Sequence, residues 1–417
     1  MKAYVENEII SQLLKDLKTG GLHQKVYSDV IDENGNQYVD LVQEGGGVLG
    51  IALLGYTFVM EQAGIRFFSL AGTSAGAINS MTMAAMARVG ELATLKTLEM
   101  LHSKDLSDIV DGDRRLWRLV KRYLYNRSWK YWFTFLNIPR IYNTLVRSLG
   151  LNPGDDFMRW IESSLAVHGI NSLADLEAHR SELPTLFDRN TGKELIRTAE
   201  LKIITSDITS KSKITFPEMT ELYWHEPASV NPACFVRTSI SIPFFFQPFV
   251  VENIPNAGTY EDQALPREQS KWRKHTGYRG KIPAKVHFVD GGMLSNFPIN
   301  AFHRKGVPAK PTFGARLSSW RVEAQEIKSL NNYCNAMIST MRQLHDYDFL
   351  LKHHDYKHLI CSIDCDTEKD KNGRDKFNFL DFNMDETTKV ELFNHGARKA
   401  YEFMKTFDWQ AYKTLRG

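Results

Sequence analysis

The chain has 417 residues, of which 43% are hydrophobic and 24% charged, a composition typical of a folded globular protein rather than a disordered one. Its formal net charge of +3 is close to neutral for this length and does not indicate a nucleic-acid-binding protein. The four cysteines contain no CxxC pair, which argues against a disulfide scaffold or a structural zinc site and favours a reducing compartment.

Two stretches of the sequence could indicate secretion or membrane insertion. The first eight residues lack the apolar core of a signal peptide. Residues 67–87 carry no charge and are long enough to span a bilayer, but they contain a glycine turn and several polar side chains, which a strand followed by a buried helix explains better. We therefore expect no transmembrane segment and a cytoplasmic location, with any membrane contact peripheral and at the inner face.

The first 63 residues show four predicted elements, two helices and two strands. Residues 5–18 have the apolar spacing of a helix that stops at Gly20 and Gly21. Residues 25–31 and 36–43 are strand-like and are separated by Asn34-Gly35, a dipeptide favoured in tight hairpins. The second strand runs directly into a glycine loop at 45–50, and a helix follows through about Ala63.

The next segment has the pattern of a nucleophile elbow. A short apolar strand, residues 67–71, leads into Gly72-Thr73-Ser74-Ala75-Gly76, and a run of small residues typical of a buried helix follows. Such a turn exposes the serine hydroxyl at its tip, and Gly72 and Gly76 leave room for the adjacent helix and strand. The order strand, glycine loop, helix, strand, elbow, helix is a β-α-β unit, which predicts a parallel sheet with helices on its faces.

The rest of the chain is mixed. Residues 90–190 are predicted to be mostly helical, and strand character returns at 201–205 and 286–289. The polar segment 252–284 is predicted to form a long surface loop or lid. The acidic run 366–375 does not fit an EF-hand because Lys371 stands where the loop glycine belongs, so we expect a solvated hairpin turn and no metal.

The glycine run Gly45, Gly46 and Gly47 is a candidate oxyanion hole. Successive glycines at a helix N-terminus expose backbone N–H groups that no side chain shields. A phosphate-binding loop is the alternative, but the Gly-Lys-Ser/Thr ending of a P-loop is missing, and the dinucleotide fingerprint is weak without an acid after a second strand.

Two side chains compete as the base for Ser74. His303 falls in a predicted helix, where a histidine is more often a surface or core residue. Asp290, in Asp290-Gly291-Gly292, directly follows a buried strand and is expected at the sheet edge where sites of open α/β sheets form. Taken alone, an Asp-Gly dipeptide of this kind would usually be interpreted as a simple turn without a catalytic role.

The glycine loop, the elbow and Asp290-Gly291-Gly292, in this order, resemble the patatin-like phospholipase family. The blocks 205–209 and 239–248, and the Asn296 and Pro298 after Asp290, are also similar to that family's motifs. The resemblance spans about residues 38–305. Leu49 stands where many members of the family carry Arg or Lys. This difference puts in question how the substrate or its headgroup is positioned, but not the reaction itself.

The resemblance implies a three-layer α/β/α fold with a mainly parallel central sheet and helical insertions, one of them at about 100–165. It divides the chain into an N-terminal helix and strand (1–36), a patatin-like domain (37–305) and a C-terminal extension packed on the same domain (306–417).

The implied activity is hydrolysis of lipid carboxylic esters, as in phospholipase A or lysophospholipases. The resemblance makes Ser74 the nucleophile, Asp290 its base and the N–H groups of Gly45 to Gly47 the oxyanion hole, with Gly72, Gly76, Gly291 and Gly292 in support. No cofactor or metal is expected. A conventional Ser-His-Asp esterase and a non-catalytic lipid-binding protein on the same fold remain alternatives.

The expected partner is a phospholipid membrane surface, and no nucleic-acid substrate is expected. The segment 114–141 alternates basic and aromatic residues, including Trp129 and Trp132, a composition suited to an anionic bilayer surface. Single-stranded nucleic acid binding, or a helical cap with solvated charges, would have the same composition. An activating ligand, such as the cyclic nucleotides that activate some bacterial relatives, and the oligomeric state both stay open.

Overall fold

The structure is a computed structural model that describes residues 1–105, 111–112, 142–260, 270–321, 324, 326–328, 330–369 and 376–417. The basic and aromatic segment 114–141 and most of the acidic run 366–375 therefore lie outside the described residues. No helix within the described ranges is long and apolar enough to cross a membrane.

Helices and strands are interspersed along the described residues. The helices include α1 (Lys2–Val5), α2 (Glu8–Thr19), α3 (Gly50–Gln62), α4 (Ala75–Met86), α5 (Thr94–His102), α6 (Asp155–Ala166), α7 (Leu173–Ser181), α8 (Ala233–Ser239), α9 (Lys271–Thr276), α10 (Leu330–Lys352), α11 (Glu386–Thr406) and α12 (Trp409–Arg416). The strands include β1 (Val30–Asp32), β2 (Gln37–Gln43), β3 (Ile65–Thr73), β4 (Gly150–Asn152), β5 (Leu186–Asp188), β6 (Leu201–Asp207), β7 (Ser212–Phe216), β8 (Phe244–Phe246), β9 (Phe249–Glu252), β10 (Lys285–Asp290), β11 (Thr312–Arg316) and β12 (Ile360–Ser362).

The hairpin predicted at Asn34-Gly35 is present, but its first strand is shorter than expected. β1 and β2 pair antiparallel, and Gly35 takes a φ of 79° that favours glycine. Before β1, the Gln37 side chain accepts hydrogen bonds from the backbone N–H groups of Tyr27 and Ser28 and donates one to the carbonyl of Lys25. The Gln37 side chain thus makes the hydrogen bonds to residues 25–28 that a neighbouring strand was expected to make, and these residues do not form a strand.

The central sheet has ten strands, five of which form a parallel core in the order β12-β11-β2-β3-β6. The β2-α3-β3 unit confirms the predicted parallel crossover. The antiparallel strand β10 pairs with β6 past the end of β3 and also with β9, β7 pairs with β6, and β1 joins β2 to β5.

Both faces of this sheet are covered, as adjacent residues of β11 illustrate. Phe313 packs edge-on against Phe403 of α11, with ring centroids 5.2 Å apart. A Cβ placed on the next residue, Gly314, would lie 2.6 Å from the Phe297 ring, and successive strand residues face opposite sides. The expected α/β class, with a mostly parallel central sheet between helical and irregular layers, is confirmed.

The C-terminal helix α11 packs very closely against α3. A Cβ on Gly55 would lie 1.9 Å from the Phe393 carbonyl oxygen, and one on Gly396 would lie 1.9 Å from the Ala52 carbonyl oxygen. Two facing glycines therefore let the two helix backbones touch. Helix α11 from the C-terminal region thus shares one hydrophobic core with α3 and β2.

The pairing of β6 brings two distant chain segments end to end. β7 occupies one edge of β6 along Ile203 to Asp207, so β3 and β10 must share the other edge. β3 pairs with β6 as far as Thr73↔Ile204, and β10 ends at the next position, Asp290↔Thr205. The last residues of β3 and β10 therefore meet.

Candidate active site

The predicted elbow is a sharp turn with a strained serine. Ser74 has φ 51° and ψ −115°, and α4 begins at the next residue. A Cβ on Gly72 would lie 2.2 Å from the Gly76 carbonyl oxygen, and one on Gly76 would lie 2.2 Å from the Gln43 carbonyl oxygen. Both positions require glycine, because the strand, the turn and the helix touch there backbone to backbone.

The segment 239–241 anchors both predicted catalytic residues. The Ser74 N–H donates to the Ser239 hydroxyl at 2.9 Å, and that hydroxyl donates to the Ile204 carbonyl at 2.6 Å. Two residues later, the Ser241 carbonyl accepts the backbone N–H of Asp290 at 2.8 Å. A single short segment thus holds the elbow and the end of β10 side by side.

The Asp290 carboxyl lies in a buried turn beside Ser74. Its Oδ1 accepts the Gly292 N–H at 2.7 Å, and the Ser74 hydroxyl is among the groups that act to lower the pKa of this carboxyl. A Cβ on Gly291 would clash with the Ile204 carbonyl oxygen at 2.1 Å, and one on Gly292 would come within 2.8 Å of Asp290 Oδ1. The two glycines after Asp290 therefore keep β10 against β6 and leave room for the buried carboxylate.

Opposing effects act on the acidity of Asp290. Burial is the largest and raises the pKa of this carboxyl above its usual value. The Arg342 charge, the Ser74 hydroxyl and the Gly292 N–H each act to lower the pKa of Asp290. Asp290 is thus a stronger base than an exposed aspartate, with positive charge and donors near enough to favour its ionised form.

The glycine loop lies directly over Ser74, but its three N–H groups are not equivalent. The Gly45 N–H donates to the Asn296 carbonyl at 3.0 Å, so the prediction that it serves as an oxyanion donor needs correcting. The N–H groups of Gly46 and Gly47 have no hydrogen-bond partner among the described residues. These two donors remain available to an oxyanion beside Ser74.

The loop also contacts the C-terminal region. The Val48 N–H donates to the Phe379 carbonyl at 3.1 Å, and a Cβ on Gly47, whose φ is 56°, would lie 2.1 Å from the same oxygen. Leu49, at the position where a basic residue is common, is buried in the core. An apolar side chain suits that buried position.

A polar network supports the site, and one of its members carried no sequence signal. Asn296 donates to the Gly45 carbonyl at 3.0 Å and accepts from Arg342 Nη2 at 2.7 Å. Arg342 lies on α10, in the C-terminal region, where no motif marks it. The buried Glu44 accepts the backbone N–H groups of Leu317 and Ser318 and fixes the start of the glycine loop.

Helix α10 also fixes the chain that follows Asp290. Asp346 accepts the Ser295 hydroxyl at 2.6 Å and the Phe297 N–H at 2.8 Å. Burial raises the pKa of Asp346 to about 7, with the nearby Glu44 adding to the effect. Two residues of one C-terminal helix, Arg342 and Asp346, therefore position the Asp290 turn.

Ser74 opens into a narrow apolar pocket. Its cavity volume is ≈ 60 Å³, and most of its walls are hydrophobic. The lining comprises Gly47, Val48, Gly50, Ile51, Ser74, Ala75, Ile78, Asn79, Leu101, Phe157, Trp160, Ile240, Ile242, Phe246 and Phe382. Phe382 again comes from the C-terminal region and stacks on Phe245, with ring centroids 5.4 Å apart.

No histidine takes part in this arrangement. All 13 histidines of the chain are among the described residues, and none lines the pocket or contributes to the acidity of Asp290. His303 lies in a turn, not in the helix predicted for it, because Pro298 and Gly306 confine the segment. Its Nδ1 lies 2.9 Å from the Tyr356 hydroxyl, within an aromatic cluster.

Two other predictions concern the polar segment 252–284 and metal binding. The segment 252–284 is not a continuous loop: it starts on β9, contains helix α9 and includes residues 261–269, which lie outside the described ranges. Across the described part of the chain, no three His, Cys, Asp or Glu side chains are grouped as a metal ion would require.

Comparison with known proteins adds three findings. A family model described as patatin-like phospholipase matches residues 41–303. The uncharacterized protein YqhO of Bacillus subtilis (strain 168) is 27% identical over 375 residues, which cover 89% of this chain and all of that protein. The crystal structure of VipD from Legionella pneumophila aligns with a TM-score of 0.40 at 14% identity, covering 92% of this chain and 70% of that one.

Proposed function

This chain belongs to the patatin-like phospholipase family, and from that premise we propose that it hydrolyses carboxylic esters of membrane lipids through a Ser74–Asp290 dyad. The observation that carries the proposal is the position of the buried Asp290 carboxyl at the end of β10, where β10 meets the end of β3 next to Ser74 and the apolar pocket that Ser74 lines. A nucleophile next to a base is the arrangement that covalent ester hydrolysis requires.

In the first step the Ser74 oxygen attacks the ester carbonyl carbon while Asp290 takes the hydroxyl proton. The carbonyl oxygen becomes an oxyanion, which the free N–H groups of Gly46 and Gly47 bind. Helix α4 begins directly after Ser74, so its positive N-terminal end favours the same negative charge. When the tetrahedral intermediate collapses, the alcohol portion of the lipid leaves with the proton held by Asp290.

In the second step water hydrolyses the acyl-enzyme. Asp290 takes a proton from the water, whose oxygen attacks the acyl carbon on Ser74, and the same two N–H groups bind the oxyanion. Collapse releases the fatty acid and returns the proton to the Ser74 oxygen. The cycle needs one base in one position for both steps.

Burial makes Asp290 suitable as this base. An exposed aspartate is a weak base for an alcohol because their acidities lie far apart. The raised pKa of Asp290 narrows that difference, while Arg342 and the Gly292 N–H limit the rise so that the carboxylate form persists. Activity is therefore expected to fall as pH falls and Asp290 becomes protonated.

The shape and polarity of the pocket support a lipid substrate. Phe246, Trp160 and Phe382 supply apolar walls for an acyl chain, and the ester would lie at Ser74. The proposed membrane partner, including docking through segment 114–141, is inferred from the sequence alone.

The decisive experiment measures fatty-acid release from mixed phospholipid vesicles. Ser74→Ala should reduce release to background, and Asp290→Asn, nearly the same size, should reduce it by about a hundred- to ten-thousandfold. His303→Asn is the matched control and should leave release unchanged.

Other outcomes separate the alternatives. Equal release by wild type and Ser74→Ala would refute the proposal. Substantial activity of Asp290→Asn together with inactivity of a histidine variant would favour a Ser-His-Asp esterase. Vesicle binding without release by the wild type would favour a non-catalytic lipid-binding protein.

A further inference from the structure

A second cavity lies at the edge of the sheet opposite Ser74. It has a volume of ≈ 240 Å³, and its walls include Thr312, the first residue of β11, and the paired β2 residue Asp40. Ser74 instead follows the last residue of the parallel strand β3. In a parallel sheet all strands start on one side and end on the opposite side. The two cavities lie on these opposite sides and are therefore separate.

Positive charge is concentrated in this second cavity. Its lining contains five cationic side chains and a single acid, whereas the whole chain has 52 Lys and Arg against 49 Asp and Glu. The five cations are Arg197, Arg304, Lys305, Lys310 and Arg416.

Acidic partners neutralise only some of these cations. Lys310 pairs with the buried Asp40, and Arg416 pairs with Asp355 at 3.1 Å. Arg304 makes a longer and more exposed contact with Glu200, at 3.4 Å. Within the described ranges neither Arg197 nor Lys305 has an acidic side chain in ion-pair contact.

Several cations of this cavity lie close enough to repel one another. Burial lowers the pKa of Lys310, and the neighbouring charges of Arg304 and Arg197 lower it further against the attraction of Asp40. Arg416 is also recessed, with 10% of its side chain exposed, and its buried Nε has no hydrogen-bond partner among the described residues. Converging cations are stabilised by an anion between them.

We propose that this cavity binds a small soluble anion that carries a phosphate group. Several guanidinium and ammonium groups around one space match a multiply charged oxyanion better than a single carboxylate. The hydroxyls of Tyr356 and Tyr412 in the wall already contact His303 and Asp355, which leaves the cations as the recognising groups.

Geometry favours a soluble ligand over a lipid headgroup. Lys310 and Arg416 are each only 10% exposed, so a ligand has to enter the cavity to reach them. A bilayer held against this edge would also face away from Ser74, at the other edge of the sheet.

The test is calorimetric titration of the full chain with inorganic pyrophosphate, with acetate as the singly charged comparison. Saturable binding of pyrophosphate and not of acetate is expected. The double substitution Arg197→Gln, Lys305→Gln leaves the buried Lys310–Asp40 pair intact and should weaken binding by about tenfold or more. Arg88→Gln is the control, since Arg88 is an exposed arginine paired with Glu182 and does not line the cavity.

Three results would overturn the proposal. The first is a wild type without saturable pyrophosphate binding. The second is a double variant that melts like the wild type and binds pyrophosphate equally well. The third comes from sedimentation with phosphatidate-containing vesicles: if the double variant loses vesicle binding while no protein binds pyrophosphate, the phosphate belongs to a lipid. Because binding is measured without turnover, the result is independent of the proposed hydrolase activity.

Discussion

Arg342 offers the sharpest test of how the pKa of the proposed base, Asp290, is set. Its guanidinium donates to Asn296 and lies near Asp290 without forming an ion pair with it in the structure. A Cβ on Gly292 would lie 2.8 Å from Asp290 Oδ1 and 3.3 Å from Arg342 Nε. The two charged groups are therefore at most about 6 Å apart, within the range where an opposite charge lowers a carboxyl pKa.

The distance sets the size of the effect. Two unit charges at about 6 Å interact with roughly 3 kcal/mol at an effective dielectric constant near 20, and with less than 1 kcal/mol in water. Arg342 is partly exposed, so its contribution falls between these limits. Arg342→Gln should consequently raise the pKa of Asp290 and reduce the ionised fraction on the acidic side by about 5- to 150-fold.

The assay is kcat/KM for a short-chain soluble ester, measured from acidic to mildly alkaline pH. Since the base acts as a carboxylate, Arg342→Gln should move the acidic limb of the profile to higher pH and leave the alkaline plateau close to wild type. Arg342→Lys keeps the positive charge, so its acidic limb should lie close to that of the wild type. Lys352→Gln removes an exposed cation from the same helix, where it pairs with Asp348, and should change nothing.

Two results would refute this reasoning. An acidic limb of Arg342→Gln that coincides with that of the wild type would show that the charge does not reach the base. Equal shifts in Arg342→Gln and Arg342→Lys would show that the effect is steric and passes through Asn296.

Three further predictions concern the fold, the pocket and the membrane. Gly55→Ala places a methyl group 1.9 Å from the Phe393 carbonyl oxygen and should lower the free energy of unfolding by about 1–3 kcal/mol, measured by urea denaturation; an unchanged midpoint would contradict the close α3–α11 contact. Phe382→Ala should widen the acyl pocket and raise the rate of hydrolysis of long-chain esters relative to short-chain esters. A ratio of the two rates equal to that of the wild type would contradict the role of Phe382 as a wall of the acyl pocket. Replacing Trp129 and Trp132 by serine should reduce vesicle binding in a sedimentation assay while hydrolysis of a soluble ester is retained; unchanged sedimentation would remove the proposed docking role.

The sequence could predict the parts of the site that are local. Gly72, Gly76 and Gly291 face backbone atoms at about 2.1–2.2 Å from a Cβ position, so their identity is imposed by turns that short motifs encode. The β-α-β order likewise follows from element spacing. The overlong first hairpin strand arose because apolar spacing does not reveal which side chains satisfy the backbone, whereas the wrong helix at His303 arose because Pro298 and Gly306 confine that segment.

The rest of the site depends on contacts between distant segments. The Gly45 N–H is occupied by a carbonyl more than 250 residues away along the chain, at Asn296. Arg342 and Phe382 reach the site from the C-terminal region, where no residue pattern distinguishes them from surface or core residues. Only the folded chain shows which glycine-loop donors are free and which cation lies beside the base.

The end-to-end meeting of β3 and β10 explains how a carboxylate can stand where a histidine would otherwise be needed. In the proposed mechanism both residues belong to the sheet edge, so no loop separates the serine from its base and no third group is required to orient it. The same placement buries Asp290, and burial alone would drive the carboxyl toward its neutral, inactive form. The Gly292 N–H, the Ser74 hydroxyl and the Arg342 charge are the groups that offset this tendency, and one of the three comes from outside the matched family region. In the proposed dyad the protonation state of Asp290 thus depends on helix α10, although both proposed catalytic residues precede that helix in the chain.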